Sequence, residues 1–234
     1  MQFIAWHPLF NFPLPAGHRF PMIKYELLHD QLLYEGVVKE SAFFVPEMLE
    51  EKYLIPVHKE EYVRRLLTLQ LSRQEIRRIG FPLSQKLVER ELRIARGTIT
   101  AATIAVQNKI GFNIAGGTHH AGSDWGEGFC LLNDQAIAAR YLLDHTSVNQ
   151  ILIIDLDVHQ GNGTAEIFQN EKKVFTFSMH GRNNFPFHKE KSNLDIGLED
   201  NTTGDQYLTC LKKNLDFLFK TLQPDFVFFL AGAD

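Results

Sequence analysis

Short apolar runs rich in β-branched and aromatic residues recur along the chain, and stretches with helical spacing lie between them. Such runs, when turn-forming residues bound them, are typical of strands buried in a parallel sheet. Five segments have this pattern: Phe3–Trp6, Gly111–Ala115, Gln150–Leu156, Lys173–Ser178 and Asp225–Leu230. We predict that each of them forms a strand.

Three amphipathic helices are predicted between these strands. Apolar residues recur with helical spacing from Ser84 to Gln107, and the stretch after Asp134 is similar. Thr203 and Gln206 have the spacing of a capping box in front of a stripe of leucines. The alternation indicates an α/β fold whose mainly parallel sheet is flanked by helices, with functional groups at the carboxyl ends of its strands.

Composition and charge narrow the class of protein. A chain of 234 residues with 44% hydrophobic residues can bury one sizeable core, so we expect a single domain over residues 1–234. The formal net charge of -4 argues against direct nucleic-acid binding, which needs a basic surface. The two cysteines are far apart, and no apolar run has the length of a membrane span or the setting of an export signal. We therefore expect a cytoplasmic protein that binds no membrane.

The strongest chemical signal is the pattern Asp155-Leu-Asp157-Val-His159, which directly follows an apolar run. Side chains two positions apart in a strand point the same way, so Asp157 and His159 are expected to bind one cation. Solvated acids at a strand end are the alternative interpretation. That alternative places two carboxylates and an imidazole beside a core, which is costly unless they are paired or bound to metal.

A second polar group follows another apolar run, where His119 and His120 stand next to glycines. An imidazole near neutral pH can take and return a proton, so the pair is a candidate for proton transfer, with a structural role for one of them as the alternative. Asp234 ends the last apolar run and adds a carboxylate to Asp157 and His159. Two carboxylates and one imidazole suit a catalytic zinc with open positions, and they also accept iron(II).

Together these motifs resemble the histone deacetylase and acetylpolyamine amidohydrolase superfamily. The resemblance follows the chain in order, and five motifs carry it: Gly116–Ala121, Gly128–Asp134, Asp155–Thr164, Ser178–His180 and Ala231–Asp234. The segment Arg77–Pro82 is most similar to the short class IV and bacterial members. The resemblance implies a three-layer arginase/deacetylase fold and a metal-dependent amidohydrolase that acts on linear amides.

The resemblance also implies two kinds of metal site. One catalytic zinc ion would be held by Asp157, His159 and Asp234. A structural potassium ion is implied close to the same segment, where its ligands would come from Asp155, Asp157, His159, Ser178 and Met179.

Four catalytic residues are implied as well. His120 would take a proton from water and later return it to the leaving amine, and His119 would be its electrostatic partner. Asp155 would orient His119, and Asn162 would orient His120.

The implied substrate is acetyl-lysine in a histone or another protein, or an acetylated polyamine. Gly128, Phe129 and Phe185 would line a narrow tunnel for the acylated chain. A core phenylalanine is the alternative interpretation for both aromatic residues.

The pattern departs from the family at the oxyanion donor, which the family supplies as a tyrosine on a glycine-rich loop beyond the third metal ligand. All six tyrosines of this chain precede Asp234, and none lies in such a loop. We expect that the sequence is incomplete at its C-terminus, with an impaired metal-binding fragment as the alternative.

Two further classes of protein stay open at this point. One is an arginase-like ureohydrolase, which would bind two manganese ions bridged by carboxylates. The sequence disfavours it, because no second cluster of acids stands beside Asp234. The second is a non-catalytic module that binds acetylated ligands without hydrolysing them. The oligomeric state is not predicted.

Overall fold

The computed structural model describes residues 2–232 of the chain. The chain divides into two compact units, Met1–Asp144 and His145–Asp234. Each unit combines parallel strands with helices, so the predicted α/β class is confirmed.

The first unit is built around a small parallel sheet in the order β2-β1-β3. In chain order its strands and helices are β1 (Ile4–Ala5), α1 (Lys24–Tyr34), β2 (Phe43–Phe44), α2 (Glu60–Leu67), α3 (Arg73–Ile79), α4 (Gln85–Asn108), β3 (Phe112–Asn113) and α5 (Asp134–His145). The long helix α4 contacts both β1 and β3, so it covers this sheet. Its N-terminus is capped by Ser84, whose hydroxyl accepts a hydrogen bond from Leu87 N at 3.2 Å.

The second unit is built around a parallel sheet in the order β6-β5-β4-β7. In chain order its strands and helices are β4 (Ile151–Asp155), α6 (Asn162–Phe168), β5 (Val174–Gly181), β6 (Leu194–Leu198), α7 (Gly204–Leu222) and β7 (Phe226–Leu230). All five residues of β4 are buried, and the strand pairs with β5 on one side and β7 on the other. The last residue of β4, Asp155, therefore lies at the carboxyl edge of the sheet between Ser178 and Leu230.

Helix α7 shows how local sequence signals combine with packing. Thr203 and Gln206 form the predicted capping box, in which each side chain bonds the backbone N–H of the other residue. The leucine stripe behind it packs on the sheet of this unit, and Leu218 is fully buried there. Leu208 belongs to the predicted stripe but is exposed, whereas its neighbour Tyr207 packs on the core.

The five predicted strands are all present, with bounds that differ by a few residues, and the two other predicted helices are α4 and α5. Strands β2 and β6 and helices α1–α3 were not predicted. Strand β2 has only two residues, and β6 is a half-buried edge strand that contains Asp195 and Gly197, so neither has a continuous apolar run. Helix α1 buries none of its residues, which explains its weak amphipathic pattern.

The structure also bears on the two cysteines and on a possible membrane span. Cys130 and Cys210 form no disulfide. Within residues 2–232, no helix combines the length and the apolar character that a membrane crossing requires.

Candidate active site

The backbone after β4 is shaped by two successive Asx turns. Oδ1 of Asp155 accepts a hydrogen bond from Asp157 N at 3.0 Å, and Oδ1 of Asp157 accepts one from His159 N at 2.8 Å. Because β4 ends at Asp155, the strand alternation that we used to align Asp157 with His159 does not apply to them. The repeated turn aligns them instead, which corrects the reasoning but keeps the pair together.

Asp157 and His159 present an oxygen and a nitrogen to the same point. Oδ1 of Asp157 lies 2.9 Å from Nδ1 of His159, and Asp157 is only 7% exposed. Two ligands of one tetrahedral zinc ion lie roughly 3.3 Å apart, given bond lengths near 2 Å, so a small adjustment would let both atoms bind the same ion. An oxygen and an imidazole nitrogen are also ligands that zinc prefers, so the described residues fit the implied metal.

The third expected ligand, Asp234, lies outside the described residues. Two positions earlier, the backbone of Gly232 passes so close to Asp157 that an added Cβ atom would lie 1.9 Å from its Oδ2. Among residues 2–232, no group of three histidine, cysteine, aspartate or glutamate side chains is gathered as a metal site. The described part of the site is therefore the pair Asp157 and His159.

Three of the residues expected near potassium lie where the end of β4 pairs with β5. Asp155 of β4 is in register with Ser178 of β5, and the buried Met179 follows in β5. The Ser178 hydroxyl lies 3.0 Å from Nδ1 of His180. Burial is the main cause that lowers the pKa of His180 below its ordinary value. The potassium site itself stays a prediction.

The loop that carries Phe185 is tied to the segment after His159 by one buried amide. The Gln160 side chain donates from Nε2 to Glu190 O at 2.7 Å and to Asp195 Oδ1 at 2.8 Å, and its Oε1 accepts from Glu190 N at 2.9 Å. The Phe185 ring lies 5.9 Å from the His159 ring at an interplanar angle of 73°. The structure thus places Phe185 beside one of the two described metal-ligand candidates. Its role as a tunnel wall stays a prediction.

Asn162 is the first residue of α6 and is buried. Its backbone N–H donates to Gln160 O at 2.8 Å, which closes a tight turn between the candidate metal segment and the helix. The predicted partnership of Asn162 with His120, like that of Asp155 with His119, stays a prediction.

In the first unit, His119 and His120 form a close pair of buried imidazoles. Their ring centroids are 4.1 Å apart, and they are 5% and 4% exposed. The backbone turns sharply just before them, because Gly117 has a φ of +93° and its carbonyl accepts a bond from His119 N at 2.9 Å. Two adjacent imidazoles in a buried setting can share and transfer a proton.

Asp134 holds the backbone on the N-terminal side of this pair. Its Oδ1 accepts bonds from Gly117 N at 3.0 Å, from Thr118 N at 2.8 Å and from the Thr118 hydroxyl at 2.7 Å. Its Oδ2 accepts a bond from the Thr98 hydroxyl at 2.6 Å. Asp134 is 1% exposed, so protein donors replace the water that would otherwise bond its carboxylate. These bonds fix the backbone of residues 117 and 118.

His58 and Asn133 hold the backbone on the C-terminal side of the pair. Nδ1 of His58 lies 2.9 Å from Gly122 O, and Asn133 N donates to Nε2 at 3.1 Å. A backbone N–H can only donate, so Nε2 is the acceptor and Nδ1 carries the proton. The Asn133 side chain donates to Ala121 O at 3.1 Å. Complete burial lowers the pKa of His58 to about 4, so this imidazole is neutral near neutral pH.

Gly128 and Phe129, the other expected tunnel residues, both have left-handed backbone conformations, with φ values of +53° and +68°. The turn is held by a bond from Phe129 N to Ile79 O at 2.7 Å. The Phe129 ring lies 4.9 Å from the ring of Phe20 and 5.0 Å from that of Phe81. The half-buried ring therefore packs on an aromatic cluster, and its role toward a substrate stays a prediction.

The sequence pattern did not predict the polar residues that hold the backbone around the His119–His120 pair and the Phe185 loop. Asp134 ends one of the five family motifs, and an Asn-Asp pair at a helix start is a signal for capping, but its bonds to residues 117 and 118 are not local. Gln160 and His58 carry no pattern of their own. Only their burial and their distant partners identify them.

A comparison with known families decides where the chain belongs. Residues 18–234 match the histone deacetylase domain. The chain belongs to the histone deacetylase family. The structure agrees: a histone deacetylase homologue from Aquifex aeolicus has the same fold, with a TM-score of 0.80 and 21% identity over 97% of this chain and 67% of that one.

Individual relatives within the histone deacetylase family differ in similarity and in length. An uncharacterized protein of Picosynechococcus sp. is 44% identical over 231 residues, which are 99% of this chain and 77% of the relative. Histone deacetylase 2 of Arabidopsis thaliana is 29% identical over 230 residues, which are 93% of this chain but only 58% of that protein. The chain thus spans about three quarters of one curated relative and less than two thirds of the other.

Proposed function

We propose that the protein is a zinc-dependent deacetylase that hydrolyses the acetyl amide of acetyl-lysine in a protein, or of a related acetylated amine. Membership of the histone deacetylase family supports this class of reaction. The name of the Arabidopsis relative, histone deacetylase 2, supports an acetylated protein as the substrate.

The observation that carries the proposal is the convergence of Asp157 and His159. Their donor atoms lie 2.9 Å apart in a turn that follows the end of β4. We assign Asp157, His159 and Asp234 as the residues that hold zinc. When bound, zinc polarises the amide carbonyl and acidifies water.

The paired imidazoles supply the proton transfer in this proposal. His120 accepts a proton from the attacking water and returns it to the leaving amine, and His119 is its electrostatic partner. Asp155 and Asn162 are the proposed orienting partners of His119 and His120. Burial of both rings keeps bulk water from competing for the proton.

The substrate side of the proposal rests on the loops that carry Gly128, Phe129 and Phe185. An aromatic ring on each loop offers an apolar wall to the methylene chain of a lysine. A potassium ion at the segment around Asp155 and Ser178 is part of the same proposal, and it would stabilise the turn after β4.

Release of acetate by the full-length protein loaded with zinc tests the proposal. The substrates are an acetyl-lysine peptide and an acetylated polyamine, and elemental analysis counts the metal. We expect one zinc per chain and release of acetate from the peptide. We expect Asp157→Ala to lower kcat/KM by more than about a hundredfold. Replacing residues that only bond to metal ligands already lowers metal affinity or activity by about ten- to a hundredfold.

Asp216→Ala is the matched control, because Asp216 is an exposed aspartate on α7. It should keep the activity of the unmodified protein. Full activity in Asp157→Ala, or no acetate from either substrate, would overturn the proposal. Two manganese ions per chain in the protein as purified, before zinc is added, would indicate the ureohydrolase alternative instead.

A further inference from the structure

We propose that His58 is a positioning residue for proton transfer, which holds the His119–His120 pair in its working position through the loop 121–123 that follows it. The inference rests on the proposed function, in which these two imidazoles move the proton. His58 lies outside every motif that carries the family resemblance.

Three consecutive carbonyl groups of the loop 121–123 are held by side chains or backbone from other segments. Asn133 Nδ2 donates to Ala121 O at 3.1 Å, and His58 Nδ1 donates to Gly122 O at 2.9 Å. Lys59 N donates to Ser123 O at 2.7 Å. Since the loop begins directly after His120, any shift of these carbonyls moves the backbone that carries the imidazole pair.

His58 also connects this loop to the start of α5. Its Nε2 accepts the bond from Asn133 N, and Asn133 is the residue that in turn bonds Ala121 O. One imidazole thus bonds Gly122 directly and also orders the residue that bonds Ala121. A donor and an acceptor on one rigid ring are needed for this, and only a neutral histidine offers both.

Gly122 also contacts Trp125, so its present position depends on both Trp125 and His58. A Cβ atom added there would lie 2.3 Å from the Trp125 ring, and Gly122 N donates to Trp125 O at 3.0 Å. The loop is therefore packed on one side and bonded to His58 on the other. Removing the His58 bond leaves the buried carbonyl of Gly122 without that donor, which favours a shift of the loop.

Tyr62 offers a matched control from the helix that follows His58. Both residues are 1% exposed, and the Tyr62 hydroxyl donates to Leu131 O at 2.8 Å. Tyr62→Phe therefore removes a buried bond of similar length that does not involve the loop 121–123. A merely structural role of His58 predicts that its loss behaves like Tyr62→Phe.

Two substitutions at His58 separate its two bonds. In His58→Asn, the amide nitrogen takes about the place of Nδ1 and can still donate to Gly122 O. In His58→Gln, the amide oxygen takes about the place of Nε2 and can still accept from Asn133 N, while the bond to Gly122 O is lost. Folding of each variant is checked by circular dichroism, and the pair of variants keeps the test informative if one of them does not fold.

Steady-state kinetics of the zinc-loaded full-length protein on an acetyl-lysine peptide is the first measurement. We expect His58→Gln to lower kcat by about tenfold or more with KM changed less than about twofold, since misplacing a reacting group by 1 Å can cost a hundredfold. We expect His58→Asn to restore most of kcat and Tyr62→Phe to keep it. Equal losses in both His58 variants, or a normal kcat in His58→Gln, would overturn the proposal.

The second measurement does not depend on activity. Correlation spectra of the ¹⁵N-labelled imidazole rings should show His119 and His120 signals that move in His58→Gln and stay in place in Tyr62→Phe. If the unmodified protein releases no acetate, the proposed function fails, but these ring signals still test the positioning role. Unmoved His119 and His120 signals in His58→Gln would refute it.

Discussion

Replacing Gly232 with alanine is expected to weaken metal binding by displacing Asp157. A Cβ atom on Gly232 would lie 1.9 Å from Oδ2 of Asp157, 2.5 Å from its Cγ and 2.6 Å from its Cβ. Contacts below 3.0 Å are essentially never seen for a Cβ atom, so one of the two residues must move. Rotation of the Asp157 side chain is not enough, because its own Cβ is among the atoms that clash.

The size of the effect follows from the geometry of the pair. Relieving the clash requires a shift on the order of 1 Å, which is large against the 2.9 Å that separates Asp157 Oδ1 from His159 Nδ1. We expect zinc affinity to fall by about ten- to a hundredfold, the range found when the surroundings of metal ligands are disturbed. Overpacking should also lower the free energy of unfolding of the metal-free protein by about 1–3 kcal/mol.

Competition with a chromophoric zinc chelator measures the affinity, and urea unfolding without metal measures the stability. Gly204→Ala is the control, since an added Cβ at Gly204 meets nothing within 4 Å. It should bind zinc as the unmodified protein does. If Gly232→Ala binds zinc as tightly as Gly204→Ala, then the backbone at 232 does not press on Asp157, and the reasoning fails.

Three other substitutions test the supports of the site. Burial lowers the pKa of His58 from 6.5 to about 4, so the unfolded chain takes up this proton first and stability is lost as pH falls between these values. Urea unfolding at pH 7.5 and pH 5 should show a loss of about 2 kcal/mol from this group, which His58→Gln should abolish. Asp134→Asn replaces an oxygen acceptor of a buried carboxylate with a donor, and urea unfolding should show a loss of about 1–3 kcal/mol. Gln160→Ala removes the bonds that tie the Phe185 loop, so KM for an acetyl-lysine peptide should rise several-fold while the zinc content stays at one per chain.

Much of the fold could be predicted because its signals are local. The capping box at Thr203 and the cap at Ser84 involve residues three positions apart, and β4 is an unbroken apolar run up to its final aspartate. The elements that escaped prediction lack such signals. Strand β6, for example, is half-buried at every position and forms only because β5 offers it a partner edge.

The candidate metal pair was predictable for the same reason, although by the wrong route. Asp157 and His159 are brought together by Asx turns, in which an aspartate accepts a bond from the backbone two residues later. Aspartates two positions apart, such as Asp155 and Asp157, are therefore a sequence signal for such turns. Strand alternation has the same period of two, so it selects the same residues. A local period can therefore select candidate ligands that lie together even when the element assigned to them is wrong.

The supports of the site follow a different rule. The bond from His58 to Gly122 O joins residues 64 positions apart, and that from Asn133 N to His58 joins residues 75 positions apart. No periodicity along the chain encodes such a partner, and a lone histidine before a helix has no pattern that separates it from a surface residue. What identifies His58 is that a fully buried imidazole must have both nitrogens satisfied. One of its partners is Gly122, two residues after the candidate proton-transfer pair, and the other is Asn133, which bonds Ala121 O. Candidate reacting groups that follow strands can thus be proposed from a sequence, whereas the polar residues that hold them in place are identified only in the folded chain.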